Sequence, residues 1–192
     1  MRYAQIRKMD ISNGEGCGIS LFTQGCPIRC KGCHNASIWS FEGGKPWTLA
    51  AQEQIIELMR PNYIVRFSVL GGEPLVSQNV ADLADLVQRV KQCYPDKKIW
   101  VWSGYTWPQI YATAYDMTGI SEEVPQDIWT IEEKRALQVI LETIDVLVDG
   151  PFIQEQRDIT LKWRGSMSQR VLDVKKTLSQ KNPLFNPVLY CD

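Results

Sequence analysis

The stretch Ile64-Val65-Arg66-Phe67-Ser68-Val69-Leu70-Gly71-Gly72-Glu73-Pro74 sets the architecture. Its first seven residues are rich enough in β-branched and apolar side chains to form a strand, and Gly71-Gly72 stops it. Downstream, Val80, Leu83, Ala84, Val87 and Val90 recur at helical spacing, so residues 79–93 read as an amphipathic helix. Lys98 to Trp102 is the next strand, closed by Ser103-Gly104. A strand, a helix-length crossover and a second strand make a parallel pair, because the crossover carries the chain back to the edge where it began.

Outward from this unit the alternation continues. Gly18 to Phe22 reads as a buried strand that feeds the loop Gly25–Asn35. Leu49 to Met59 reads as a helix, with Thr48 as N-cap and Pro61 beyond its end. Helices are expected near Trp107–Tyr115 and over Ile131–Thr143, and a strand over Ile144–Val148 ends at Asp149-Gly150. The pattern predicts an α/β fold with a mostly parallel sheet. No repeat or linker divides residues 1–192, so one domain is expected, with a polar excursion over Thr118–Asp127. Ligands of such sheets bind beyond the carboxyl ends of the strands. The loops expected there are Gly25–Asn35, Gly71–Pro74, Ser103–Thr106 and Asp149–Phe152.

Composition narrows the function. Lys plus Arg number 21 and Asp plus Glu 22, for a net charge of -1. Lys175-Lys176 with Lys181 is the nearest approach to a basic stripe, which argues against a sequence-independent nucleic-acid binder. No apolar run reaches the roughly 18 residues of a membrane span. Met1 to Gly14 lacks the apolar core of a signal peptide. A cytoplasmic protein with no membrane partner is expected, in a compartment that keeps cysteines as thiols.

Six cysteines are present, and three crowd into Cys26-Pro27-Ile28-Arg29-Cys30-Lys31-Gly32-Cys33, a C-x3-C-x2-C spacing. Gly25, Pro27 and Gly32 favour an irregular loop wrapped around a metal over a helix face. Thiolates are the usual ligands of iron–sulfur clusters. Three of them would leave one iron of a [4Fe-4S] cluster open, as catalytic metals keep an open position. A structural zinc site is the alternative, and it would recruit Cys17 or His34 as fourth ligand. Cys17 and Cys93 otherwise read as core thiols, and Cys191 as an incidental one.

This loop resembles that of the radical S-adenosylmethionine superfamily. The resemblance implies Cys26, Cys30 and Cys33 as cluster ligands, with the open iron chelated by the amino and carboxylate groups of S-adenosyl-L-methionine. Gly71-Gly72-Glu73-Pro74 matches the superfamily's GGEP motif, which implies that Gly72 and Glu73 hold the methionine amino group while Pro74 stiffens the turn. His34 stands where relatives place an aromatic ring by the adenine. Gly32, Cys33, His34, Gly71, Gly72, Glu73, Pro74, Ser103 and Asp149 make up the implied cofactor-binding set. For Ser103 the competing reading is an ordinary strand end, and for Asp149 a helix cap or a solvated carboxylate.

Further segments narrow the resemblance. Asp10-Ile-Ser-Asn-Gly-Glu-Gly, Cys33-His34-Asn35 with Trp39, and Ile99 to Tyr105 come first, followed by Asp145 to Gly150, Trp163-Arg164-Gly165-Ser166 and Gln169-Arg170. Together they resemble the family of anaerobic ribonucleoside-triphosphate reductase-activating proteins over residues 3–170. That family implies a partial (βα) barrel and reductive cleavage of S-adenosylmethionine. The resulting 5′-deoxyadenosyl radical takes hydrogen from a glycine of the large reductase subunit, leaving a glycyl radical, and no catalytic side chain is required. A flavodoxin-like electron donor is implied as a second partner. An activase of another glycyl radical enzyme, of formate-lyase type, is the alternative within radical chemistry, and a zinc or electron-transfer module the alternative outside it. The chain departs from the family at 118–127, which reads as an insertion, and in its long tail after residue 170.

Overall fold

Each parallel strand of this protein is returned to its starting edge by helix, as the spacing of the sequence requires. A computed structural model describes residues 1–117 and 129–190; the expected insertion at 118–127 and Cys191 lie outside the described residues. The strands are β1 (Arg2–Asp10), β2 (Gly18–Thr23), β3 (Lys45–Pro46), β4 (Arg66–Gly71), β5 (Lys98–Trp102), β6 (Val146–Asp149) and β7 (Arg170–Asp173). The helices are α1 (Leu49–Leu58), α2 (Ser77–Cys93), α3 (Trp107–Ala114), α4 (Ile131–Thr143) and α5 (Val174–Leu178).

The seven strands form one sheet in the order β3-β1-β2-β4-β5-β6-β7. Its centre, β2-β4-β5-β6, is parallel, while β1, β3 and β7 pair antiparallel at the flanks. The sheet is open: β3 and β7 are its two ends and do not pair.

The expected elements form, with ends shifted by a few residues. α1 starts where Thr48 caps it, its hydroxyl accepting from the Ala51 N–H at 3.2 Å. Thr130 caps α4 and the Glu133 side chain returns the bond to the Thr130 N–H, a capping box that fixes the start of that helix. β1 was not foreseen. Its run Arg2-Tyr-Ala-Gln-Ile-Arg-Lys-Met-Asp carries charge on both faces, so it lacks the alternation by which a strand is recognised. Its pairing with β2 is a tertiary decision.

Side chains alternate across the sheet and separate it into two unlike faces. Ile19, Leu21, Phe67, Val69, Ile99, Val101 and Leu147 point to one face and meet Ile55 of α1, Leu83 and Val87 of α2, Ile110 of α3 and Ile140 of α4. The opposite face carries Ser20 and Phe22, Arg66 and Ser68, and Trp100 and Trp102, and no helix of eight or more residues packs there among the described residues. Cys93, expected in the core, is exposed as the last residue of α2. The apolar stripe of α2 runs through Val80, Leu83, Val87 and Val90, and the final turn has rotated off it.

Candidate functional site

The carboxyl ends of the parallel strands, Thr23, Gly71, Trp102 and Asp149, point the same way, and the loops expected to share an edge do so. The first two are joined through backbone atoms. Gly72 N–H donates to the Thr23 carbonyl at 2.9 Å and Glu73 N–H to the Gly25 carbonyl at 2.7 Å. The Asn35 side-chain amide donates to the Gly71 carbonyl at 3.3 Å. Gly71 sits at φ +110°, a region side chains avoid, and a Cβ on Gly72 would lie 2.2 Å from the Gly25 oxygen. Only a residue without a side chain permits the cysteine loop and the Gly-Gly turn to lie this close.

Glu73 is buried, and its carboxylate ties this turn to the next strand end. One oxygen accepts from Ser103 Oγ at 2.8 Å and from Leu75 N–H at 3.0 Å, the other from Gly104 N–H at 2.7 Å. Ser103 therefore spends its hydroxyl on Glu73. Pro74 leads towards α2, where the Asn79 amide donates to the Glu73 carbonyl. Asp149, buried at the end of β6, accepts from the Trp107 N–H at the start of α3 at 2.6 Å. It also receives Arg170, Nε at 3.0 Å on one oxygen and Nη2 at 2.5 Å on the other. The helix-capping reading of Asp149 describes these bonds, with an ion pair added that spacing alone did not suggest.

Cys26, Cys30 and Cys33 are free and partly buried in the loop after β2. Cys26 N–H donates to the Trp39 carbonyl and Gly25 N–H to that of Ile38, closing the loop at its base. Burial and the neighbouring Glu73 and Cys30 push the Cys26 thiol up to about 11, against backbone N–H groups of Arg29 and Ile28 that pull it down. Cys30 is raised by burial and by Cys33, with the Phe152 N–H acting in the opposite direction. Thiols held in this way stay protonated unless a cation is present to stabilise the thiolates, which is what a metal ligand set requires. Among the described residues no three His, Cys, Asp or Glu side chains converge as a ready-made cage. The donor set itself fits a cluster: three soft sulfur ligands on one loop, beside a turn kept free of Cβ atoms. Cys17 cannot complete a zinc site with them. It precedes β2 at the opposite end of a six-residue strand, on the order of 20 Å away.

A cavity of about 460 Å³ opens on the helix-free face of the sheet, directly beside this loop. Cys33, His34 and Asn35 form its upper wall, Phe22, Leu70 and Trp102 its back, Ser12 and Asn13 its floor, and Phe152 with Trp163 to Gly165 its far side. The His34 ring is exposed and meets Phe152 edge to face, centroids 6.5 Å apart. Gly32 backs onto the Gln154 side chain. A second, more apolar hollow of about 330 Å³ lies on the other side of the cysteine loop, lined by Pro27, Ile28, Tyr105 and Pro151.

The structure thus gathers the three cysteines, Gly32, His34 and the Gly71–Pro74 turn at one edge, with Ser103 and Asp149 reaching that edge through Glu73 and Arg170. Several site residues were missed by motif reading. Phe22 and Leu70 could have been found, because each is the strand residue whose alternation places it on the inner face at the carboxyl end. Gln154 carries no local signal and is recruited by tertiary contact, whereas Asn35 and Phe152 fall in loops expected at this edge.

A family model described as a 4Fe-4S single cluster domain matches residues 12–172. The chain is 38% identical over 174 residues to the anaerobic ribonucleoside-triphosphate reductase-activating protein of Escherichia coli K12, covering 89% of this chain and 97% of that one. The protein of the same name from Haemophilus influenzae is 40% identical over 171 residues, with 88% and 96% covered. That of Enterobacteria phage T4 is 31% identical over 173 residues, with 89% and 93% covered. By a match that runs from the loop after β1 into β7, and by identity spread over nearly the whole of each relative, this chain belongs to the 4Fe-4S single cluster domain family and to the anaerobic ribonucleoside-triphosphate reductase-activating proteins.

Proposed function

We propose that this chain activates the large subunit of an anaerobic ribonucleotide reductase, using S-adenosyl-L-methionine and a [4Fe-4S] cluster held by Cys26, Cys30 and Cys33. A cluster bound there would supply the one electron that cleaves the S–C5′ bond of S-adenosylmethionine, the chemistry by which the Cα hydrogen of a reductase glycine would be removed. The observation that carries the proposal is the placement of a three-thiol loop against a cavity of nucleoside size at the carboxyl edge of parallel strands.

The chain's own residues divide the work in this reading. Cys26, Cys30 and Cys33 would hold the cluster through their thiolates. Gly71 and Gly72 keep side chains out of the space where that end approaches the backbone. Glu73 and Ser103 hold the turn in place from below, so that the Gly72 carbonyl and the turn are fixed before the cofactor arrives. His34 and Phe152 offer flat rings to the adenine, while Phe22, Leu70 and Trp102 wall off water from the reacting carbon. Asp149, paired with Arg170 and capping α3, keeps the fourth strand end in register with the other three.

In this proposal the open sheet is a partial barrel of radical S-adenosylmethionine type, spanning one domain over residues 1–192. Its unclosed side admits a glycine-bearing loop of the reductase, and a flavodoxin-like protein in the cytoplasm delivers the electron. Anaerobic mixing of the reconstituted protein with the reductase large subunit, reductant and S-adenosylmethionine tests it. A glycyl doublet in electron paramagnetic resonance is expected. A doublet that forms only with a formate-lyase type partner would transfer the proposal to that substrate. Colourless protein carrying stoichiometric zinc would remove the cluster altogether.

A further inference from the structure

The tail beyond the family match, which ends at residue 172, folds back onto β7 instead of trailing from the molecule. After α5 it is pinned by the Trp107 indole, whose N–H donates to the Pro183 carbonyl at 2.8 Å, and by Leu184, which is buried. It then runs antiparallel to β7: Asp173 N–H donates to the Val188 carbonyl and Tyr190 N–H to the Val171 carbonyl, with Leu189 opposite Leu172. The sheet edge left free by β7 is covered in this way.

This register delivers Tyr190 to the helix-free face. Its ring meets Trp100 edge to face at 5.1 Å and Trp163 at 6.1 Å. Its hydroxyl donates to Glu15 Oε2 at 2.8 Å and accepts from Lys98 Nζ. Glu15 belongs to the loop that places Ser12 and Asn13 in the cavity floor, and Trp163 to the loop that forms its far wall. The Trp163 loop has further anchors, among them the Trp163 ring against Trp100 at 5.0 Å. Its backbone stands at φ +61°, unfavourable for a bulky residue, and its carbonyl accepts from the Trp102 indole at 2.7 Å. Gln169 accepts from Gly165 N–H and Ser166 N–H through its side chain. One tail residue thus joins the loop that carries Ser12 and Asn13 to the loop that carries Trp163.

We infer that Tyr190 is a positioning residue: the tail strand Val188–Tyr190 latches the floor loop and the Trp163–Gly165 wall together and so sets the width of the cavity that takes the adenosyl ligand. The ring carries the effect. It makes two aromatic contacts, one of them with the fully buried Trp100, whereas the hydroxyl's partners, Lys98 and Glu15, are both about half exposed and contribute little. The ligand part of this inference rests on the proposed function; the latch itself does not.

Hydrogen exchange and ligand binding on the full-length, anaerobically reconstituted protein separate the two. In Tyr190→Ala, amides of residues 11–16 and 159–168 should exchange faster while those of α1 and α2 keep wild-type protection. S-adenosylmethionine, added without reductant, should bind about tenfold more weakly, from the loss of two aromatic contacts. Iron content should not change. Tyr190→Phe should restore both the local protection and the affinity. Exchange in the two loops that is unchanged by Tyr190→Ala, or raised equally throughout the chain, would overturn the latch. Failure of the wild-type protein to bind S-adenosylmethionine would overturn the ligand assignment, and the exchange pattern would still decide the latch.

Discussion

One sheet presents two faces that solve opposite problems. On the helix-covered face, Ile19, Leu21, Phe67, Val69, Ile99 and Val101 meet apolar stripes of α1, α2, α3 and α4, and the burial is complete. On the other face the same strands carry Ser20, Arg66, Ser68, Trp100 and Trp102, and among the described residues cover comes from loops and the tail. The first face is assembled from non-directional contacts that tolerate volume-conserving change. The second is built from bonds with fixed partners, and above its floor it stays open. Stability is concentrated on one side of the sheet and the site on the other, so a residue's face predicts which property its substitution disturbs.

The floor shows how the second face is closed without helices. Arg66, fully buried, donates through Nη2 to the Asp10 carbonyl at 2.7 Å, through Nη1 to Ser68 Oγ at 2.6 Å and through Nε to the Glu15 carbonyl at 3.1 Å. Its Nη2 also lies 3.4 Å from Asp10 Oδ1. Asp10 accepts in addition from Ser12 and Asn13 N–H, the Asn13 amide and Ser20 Oγ. A buried charge costs several kcal/mol unless it is paired and fully hydrogen-bonded, and here both conditions are met. The loop over residues 11–16 is thereby fastened beneath the cavity.

The comparison can be broken in four places. The largest effect is expected at the site: Cys30→Ala should abolish cluster assembly and 5′-deoxyadenosine formation while leaving the melting profile of the metal-free chain unchanged. Normal product formation by that variant would remove Cys30 from the ligand set. On the covered face, Leu83→Ala should cost about 2–5 kcal/mol in denaturant unfolding. Its folded fraction should bind iron at wild-type stoichiometry. A loss of iron without a loss of stability would show that the faces are coupled.

The floor should respond to pH. Burial opposes the charge on Asp10, but hydrogen bonds from Asn13, Ser20 and Ser12 prevail and hold its pKa at about 2, below the ordinary 3.8. Because the folded value is the lower one, this stabilisation is present in full above pH 4 and is lost as pH falls through 2. It amounts to about 2 kcal/mol. Asp10→Asn should flatten the stability profile between pH 4 and 2, and an unaltered profile would contradict the assignment. The smallest effect is expected at Thr48→Ala, which removes the α1 cap and should cost about 1 kcal/mol with no change in iron binding.

The order of the four parallel strands and the helices between them, the cap at Thr48, the three-cysteine loop and the Gly71–Pro74 turn were legible in the chain, because each rests on residues a few positions apart. Periodicity, turn chemistry and ligand spacing are local properties. β1 was not legible, since its charged alternation resembles a loop until β2 pairs with it. The exposed position of Cys93 was missed because only packing decides where an apolar stripe ends. Arg66 and Asp10, 56 positions apart, carry no pattern that pairs them, and their ion pair exists because β1 and β4 flank β2.

The sequence by itself therefore determined which donors the site can offer: three thiols on one loop and a turn kept free of side chains. Only the tertiary structure decided where that loop works, by setting it against a cavity walled by Phe22, Leu70, Trp102, Phe152 and Trp163, residues spread from position 22 to 163. The physical reason is range. Ligand spacing and backbone conformation are decided between neighbours in the chain, whereas a cavity is the space left between segments that only the packed sheet brings together.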